Sequence, residues 1–249
     1  MGARRGPGAD RADVNLPLFR WQAPGPYEVA FSTRRGGVSD GPFESLNLGR
    51  RTGDEGERVD ENRLRLCSAV GADGERLTLG FQHHSIVVNR AQAGSRGTPG
   101  DSIWTDEPDL PMLALGADCA LIALARTNGD QPALAVLHAG WRGLLDGIVE
   151  VAAKTIGGRT AAVVGPTIGP CCYEVGEEVA APFRDRFGPR VVHNGKLDLW
   201  TAAEQAARAA GAVQVERLDL CTSCNDDLFF SERRTGKPRG TQGVIGFIR

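Results

Sequence analysis

The chain has 249 residues, a formal net charge of −2, and 41% hydrophobic against 24% charged side chains, the balance of an ordinary globular protein with room for one large domain or two small ones. A pI near 6.1 gives no electrostatic footprint for nucleic acid or an anionic membrane. No run approaches the roughly 18 uninterrupted apolar residues of a membrane span, and no apolar segment follows Arg4-Arg5 as a twin-arginine leader requires, so the expected location is the cytoplasm. In that reducing compartment the six cysteines, Cys67, Cys119, Cys171, Cys172, Cys221 and Cys224, are free thiols available for metal binding, nucleophilic catalysis or burial.

Residues 1–13 are rich in Gly, Arg and Asp and read as a disordered tail; residues 14–249 read as a single domain. Residues 15–32 form a strand or hairpin turning at Pro24-Gly25-Pro26. The loop 33–39 carries Arg34 and Arg35 among glycines and is open to two readings, an anion site or a solvated turn. Apolar residues at helical spacing (Val59, Leu64, Leu66, Val70) predict an amphipathic helix over 59–70 with Cys67 packed inward. Residues 77–89 read as a strand region containing His83 and His84. Alternation in a regular strand sends adjacent side chains to opposite faces, so at most one of these histidines meets a shared site.

Residues 113–124 are almost continuously apolar, interrupted by Asp118 and Cys119, and a buried Asp needs a partner. A turn at Asn128-Gly129-Asp130 places 113–125 beside the strand 133–137. That strand breaks at His138 into the glycine turn Ala139-Gly140-Trp141-Arg142-Gly143, and a helix over 144–156 ends at Gly157-Gly158. A strand at 161–164, a stiff Pro/Gly loop over 165–176, helices over 177–187 and 199–210, and a strand at 213–220 follow. The turn Cys221-Thr222-Ser223-Cys224-Asn225 and strands at 229–234 and 243–248 close the chain. Strands and helices mix without strict alternation, so the expected fold class is α+β, a single-domain α/β sandwich with a mixed β-sheet.

Cys119, His138 and one of His83 and His84 are the residues most suited to chemistry. Two imidazoles and a thiolate suit zinc and leave a fourth position for water, as in catalytic zinc sites. The same Cys119 and His138 also make a nucleophile–base pair of the cysteine-hydrolase kind, and a free cysteine buried as a small hydrophobe is a third reading. Cys221-Thr222-Ser223-Cys224 has the CxxC form, but a four-cysteine site needs a second pair and the adjacent Cys171-Cys172 lacks the usual spacing; the favoured reading is a structural turn. Four histidines and two methionines are too few to furnish several copper centres.

The strings Phe31-Ser32-Thr33-Arg34-Arg35-Gly36-Gly37-Val38-Ser39, Ser45-Leu46-Asn47-Leu48-Gly49, Ala117-Asp118-Cys119, His138-Ala139-Gly140-Trp141-Arg142-Gly143, Ile168-Gly169-Pro170-Cys171-Cys172-Tyr173-Glu174-Val175-Gly176 and Cys221-Thr222-Ser223-Cys224-Asn225 occur in the order found in the YfiH/laccase-domain family, and from about Leu18 onward the chain resembles it. That family was once labelled polyphenol oxidase and is now described as purine nucleoside phosphorylase with adenosine deaminase activity. The resemblance implies zinc as cofactor, held by His84, Cys119 and His138, with Gln82-His83-His84-Ser85 standing where the family has Gln-Val-His-Gly. It implies adenosine, inosine, guanosine or methylthioadenosine as substrate, together with phosphate.

On this reading zinc lowers the pKa of its water towards about 7 for attack at C6 of adenosine, and Asp118 or Glu174 carries protons. Arg34, with Arg142 second, contacts the anion; Asn47 bonds ribose or base; Cys171 and Cys172 line the pocket or stiffen its loop. The alternative is a cysteine or zinc hydrolase acting in peptidoglycan-precursor editing. A non-catalytic binding protein has no need of an intact ligand set with an open position. With no heptad pattern left unexplained, a monomer is expected.

Overall fold

The strand Ala120–Arg126 shows how the layers are built. Leu121, Ala123 and Ala125 join one buried cluster, whereas Ala120, Ile122 and Leu124 join another, because alternate residues of a strand face opposite sides. Ala120–Arg126 is therefore buried on both faces, which accounts for its unbroken apolar sequence.

The computed structural model describes residues 16–129 and 131–249; the expected tail 1–13 and Asp130 of the expected turn lie outside them. A six-stranded mixed sheet runs in the order Ala212–Arg217, Thr160–Val164, Ala120–Arg126, Leu134–Ala139, Ser102–Thr105, Val88–Arg90. The outermost pair at each edge is parallel and the inner pairs antiparallel. One face packs against a four-stranded antiparallel sheet ordered Leu18–Trp21, Tyr27–Ser32, Gln242–Ile248, Met112–Gly116. Val29, Phe31, Leu113 and Val244 from that sheet share the inter-sheet core with Leu121, Leu134, Val136 and Val163. The other face carries the helices Trp141–Asp146, Ile148–Ile156, Glu177–Phe187 and Leu199–Ala209 through Leu144, Ile148, Phe183 and Ala203. The fold is thus an α+β sandwich with a mixed central sheet, and no helix among the described residues is long and apolar enough to cross a membrane.

Several local expectations change. The hairpin is Leu18–Trp21 with Tyr27–Ser32, and the helix Gly56–Val70 buries Cys67 at 1% exposure. The region 77–89 is not one strand: Leu79–Phe81 and Val88–Arg90 flank a turn that carries both histidines. The apolar run 113–125 divides at Ala117-Asp118-Cys119 into Met112–Gly116 and Ala120–Arg126, which belong to different sheets. The expected helix 144–156 breaks at Gly147, whose φ of 92° ends one helix and starts the next. Residues 229–234 are not a strand, because Ser231 caps the short helix Glu232–Thr235 by accepting from the Arg234 N–H.

Gly165, at the end of Thr160–Val164, lies so close to Phe31 that a Cβ there would overlap the ring, and Phe31 is 1% exposed with no room to move. Gly165→Ala is expected to lower unfolding stability by about 1–3 kcal/mol, the usual cost of overpacking a filled core. Val213→Thr, at a side chain 52% exposed, should stay within about 0.5 kcal/mol. Equilibrium chemical denaturation of both variants checks this contrast.

Candidate metal centre and cleft

His138 closes the strand Leu134–Ala139 on the face it shares with Leu134 and Val136, so its ring points into the space between the two sheets at their end. Its Nδ1 lies 2.9 Å from Oδ1 of Asp101, whose side chain is fully buried. A carboxylate acceptor fixes the proton on Nδ1 and leaves Nε2 as the lone-pair donor. Asp101 also accepts the main-chain N–H groups of His83 at 3.1 Å, His84 at 3.0 Å and Ser85 at 2.7 Å, and the Ser85 hydroxyl at 2.8 Å. Burial pushes the Asp101 carboxyl up, but these bonds from His138, Ser85 and His83 outweigh it and hold the group well below the usual carboxylate range.

The same bonds shape the histidine turn. His84 has φ 63°, a left-handed conformation uncommon for a non-glycine residue, held by the three N–H groups converging on one carboxylate. Turned this way, the His84 ring meets the His138 ring edge-on at 4.9 Å between centroids, and its Nε2 lies 3.8 Å from the Cys119 Sγ. The ligand atoms of His84, Cys119 and His138 all lie within 4.8 Å of one another. Gly140 has to be glycine here: a Cβ would come within 2.7 Å of the His84 ring and 3.1 Å of the Cys119 sulfur.

Cys119 follows Asp118, which has φ 88°. Both Asp118 carboxylate oxygens are engaged, Oδ1 by the Thr222 hydroxyl at 2.6 Å and Oδ2 by the Arg233 N–H at 2.7 Å. These are the partners the buried Asp required. Burial alone would push the Cys119 thiol up; the His138 charge and hydrogen bonds from His138 and His84 outweigh it and bring it down to about 6. Burial pulls His138 down, but the Cys119 thiolate and Asp101 carboxylate raise it to about 9. Two imidazoles and an easily ionised thiol, one imidazole oriented by a carboxylate, are a donor set that fits zinc with an open fourth position.

The three residues lie in the wall of a cleft of about 820 Å³ that Arg50, Arg51, Arg63, Arg96, Arg233, Lys237 and Arg239 also line, against the carboxylates of Asp118 and Glu232. That volume lies within the range of small-molecule sites. Arg63 is buried, and desolvation lowers it to about 10. The Arg51 guanidinium lies 3.7 Å over the Phe81 ring. Among the described residues, Arg51, Arg233 and Lys237 have no carboxylate partner. Burial and the Cys119 charge push the Tyr173 hydroxyl in this wall up to about 12.

Several expected site residues lie elsewhere. Arg34 donates to the carbonyls of Glu44 and Asp226 and covers the Phe230 ring, outside the cleft. Asn47 is fully buried, donating to Thr52 and Asp54 and accepting from the N–H groups of Gly49 and Thr241; it shapes the cleft rim and has no bond left for a ligand. Arg142 stacks on Trp141 at the surface. The Glu174 carboxylate is exposed beside Lys196 at 4.0 Å, whereas Asp118 does line the cleft, with its two carboxylate oxygens bonded to Thr222 and Arg233. Cys171 and Cys172 join Cys221 and Cys224 in a second cluster, so the missing partner for the CxxC pair is the adjacent pair itself.

Asp101, Tyr173 and the cleft cations were not singled out from the sequence. The run Arg233-Arg234-Thr235-Gly236-Lys237-Pro238-Arg239 was a legible signal in a chain of slightly negative net charge.

The family model described as multi-copper polyphenol oxidoreductase laccase matches residues 28–248. The chain belongs to this family. It is 30% identical over 239 residues to a Haemophilus influenzae protein named purine nucleoside phosphorylase, covering 91% of this chain and 97% of that one. It is 31% identical over 228 residues to Escherichia coli purine nucleoside phosphorylase YfiH, covering 88% and 93%. The crystal structure of YlmD from Geobacillus stearothermophilus superposes with a TM-score of 0.85 at 29% identity, over 96% of this chain and 100% of that one. Although the family description speaks of several coppers, only His84 and His138 of the four histidines enter a metal-capable group among the described residues.

In metal-free protein the depressed Cys119 and raised His138 make a thiolate–imidazolium pair. The thiolate's contribution to stability is lost as pH falls through about 6 and the imidazolium's as pH rises through about 9. Iodoacetamide alkylation of Cys119 in metal-stripped protein, followed by peptide mass spectrometry, should therefore reach half its maximal rate near pH 6; a midpoint near the ordinary 9 contradicts the pairing.

Proposed function

We propose that the chain is a zinc-dependent purine nucleoside phosphorylase that also deaminates adenosine, taking adenosine, inosine, guanosine or methylthioadenosine with phosphate as co-substrate. The observation that carries this reading is the junction of His84, Cys119 and His138 with a cleft wall bearing the unpaired cations Arg51, Arg233 and Lys237. The names of the relatives supply the reaction class. Zinc held by the three ligands would supply a Lewis acid and a water of lowered pKa for attack at purine C6.

The chain's own groups account for phosphorolysis. Guanidinium groups hold phosphate through charge-assisted bonds, and Arg51 is pre-ordered on Phe81 and Arg233 beside Tyr173. Leu79, Leu115 and Ile168 offer apolar surface to the nucleoside. A phosphate oxygen then bonds to ribose C1′ as the C1′–N9 bond breaks. The bonding pair leaves with the purine, and Tyr173, still protonated at neutral pH, is a hydrogen-bond donor for the charge on the departing base. The products are ribose 1-phosphate and free base.

Zinc-loaded protein incubated with adenosine should form adenine only when phosphate is present and inosine with or without it, as read by chromatography. Chelation, His84→Ala and Cys119→Ala should each abolish deamination. Arg51→Ala should raise the KM for phosphate about tenfold, the loss of one charge-assisted contact, with little change in inosine formation. Zinc-loaded protein that turns over none of the four nucleosides overturns the proposal.

A further inference from the structure

The strands Thr160–Val164 and Ala212–Arg217 are parallel neighbours at the sheet edge, so the loops leaving their C-terminal ends emerge side by side. The two loops bond to each other: the Thr167 N–H donates to the Leu220 carbonyl at 3.1 Å, and the Thr222 N–H to the Thr167 carbonyl at 3.3 Å. This docking brings Cys171 and Cys172 onto Cys221 and Cys224. The Cys224 sulfur lies 3.4 Å from that of Cys171 and 3.3 Å from that of Cys172, and all four sulfurs lie within 4.8 Å of one another.

Adjacent cysteines can serve one site because residues 169–173 form a tight turn, with the N–H groups of Cys172 and Tyr173 both bonded to the Gly169 carbonyl. Consecutive side chains are therefore not sent to opposite faces, as they would be in a strand.

The spacing suits a metal. Sulfurs about 2.3 Å from a tetrahedral zinc ion lie about 3.8 Å from one another, inside the observed spread. Disulfide sulfurs are about 2.05 Å apart, and here Cys224 approaches two partners equally closely, which a single disulfide cannot satisfy. The Gly169 N–H also donates to the Cys221 sulfur at 3.3 Å. Two cations also anchor the loops. Lys196 donates to the Cys171 carbonyl at 2.9 Å, and Arg234 to those of Thr222 and Ser223 at 2.7 and 3.2 Å. Both hold the sulfur-bearing loops by their main-chain carbonyls.

We propose that Cys171, Cys172, Cys221 and Cys224 form a second zinc site, closed and structural, that clamps two loops into one wall of the cleft. Four protein thiolates leave no open position, in contrast with the three-ligand centre. The clamp bears on that centre through Thr222, which donates to the Asp118 carboxylate beside Cys119, and through Ile168, whose N–H donates to the Asp118 carbonyl. Ile168 and Tyr173, on the clamped loop, line the cleft.

Native mass spectrometry of protein purified with zinc tests the site independently of any nucleoside activity. Wild type should carry two zinc ions, one for each ligand group. The variant His84→Ala/Cys119→Ala, with the four-cysteine cluster intact, should keep one, and its cobalt(II)-substituted form should show the intense thiolate-to-metal absorption of tetrahedral four-sulfur coordination. Cys171→Ser/Cys224→Ser should keep only the ion of the three-ligand centre and melt at lower temperature. A zinc-free His84→Ala/Cys119→Ala protein overturns the proposal, and so does a disulfide among the four cysteines in freshly purified wild type.

Discussion

The buried carboxylate of Asp101 is the interaction on which the functional site depends. One side chain fixes the tautomer of His138 and gathers the N–H groups of His83, His84 and Ser85 into a turn. Without such a counter-charge three part-buried N–H donors would lose their shared acceptor, at a cost that grows with their exclusion from water. The histidines that meet Cys119 come from a left-handed turn and from the last residues of a strand. Asp101 bonds to both. Asp118 does the matching work for Cys119, holding a second left-handed residue through Thr222 and Arg233. Backbone strain thus sits beside two of the ligand positions, and buried carboxylates on both sides keep it in place.

Around this centre the fold gathers charge that the chain as a whole does not carry. The net charge is −2, yet the cleft wall is strongly basic because the loops around 50, 96 and 235 converge on it. A partly enclosed basic wall focuses potential and favours anions. Apolar side chains from Leu79–Phe81 and Leu115 lie beside it, so the cleft offers an anion subsite next to an apolar one. Asn47, fully bonded within the rim, has the task of holding the 47–54 loop that presents Arg50 and Arg51.

Much of this was legible in the residues. Alternation and apolar runs marked the central strands. Gly157-Gly158 marked the end of Ile148–Ile156, and the His138 and Ala117-Asp118-Cys119 strings marked two of the segments that meet. What was not legible depended on contacts between distant segments. Strand alternation was the wrong physics for His83 and His84, since Asp101, 17 residues beyond His84, pulls that stretch out of the strand. Arg34 and Arg51 look alike as loop arginines, and only the fold aims the first at carbonyls and the second into the cleft. Adjacent cysteines violate the usual ligand spacing, and a tight turn removes the objection. The run 229–234 reads as a strand until the Ser231 cap and the bond from the Arg233 N–H to the buried Asp118 turn it into a helix start.

The central claim is that Asp101 organises His84, Cys119 and His138 into one metal centre. Anomalous diffraction at the zinc edge, on zinc-soaked crystals of wild type and Asp101→Asn, tests it most directly. The account predicts a strong peak bonded to all three side chains in wild type, and a weakened or absent peak with His84 turned away in Asp101→Asn. No peak among the three residues in wild type, or an undiminished one in Asp101→Asn, would contradict it.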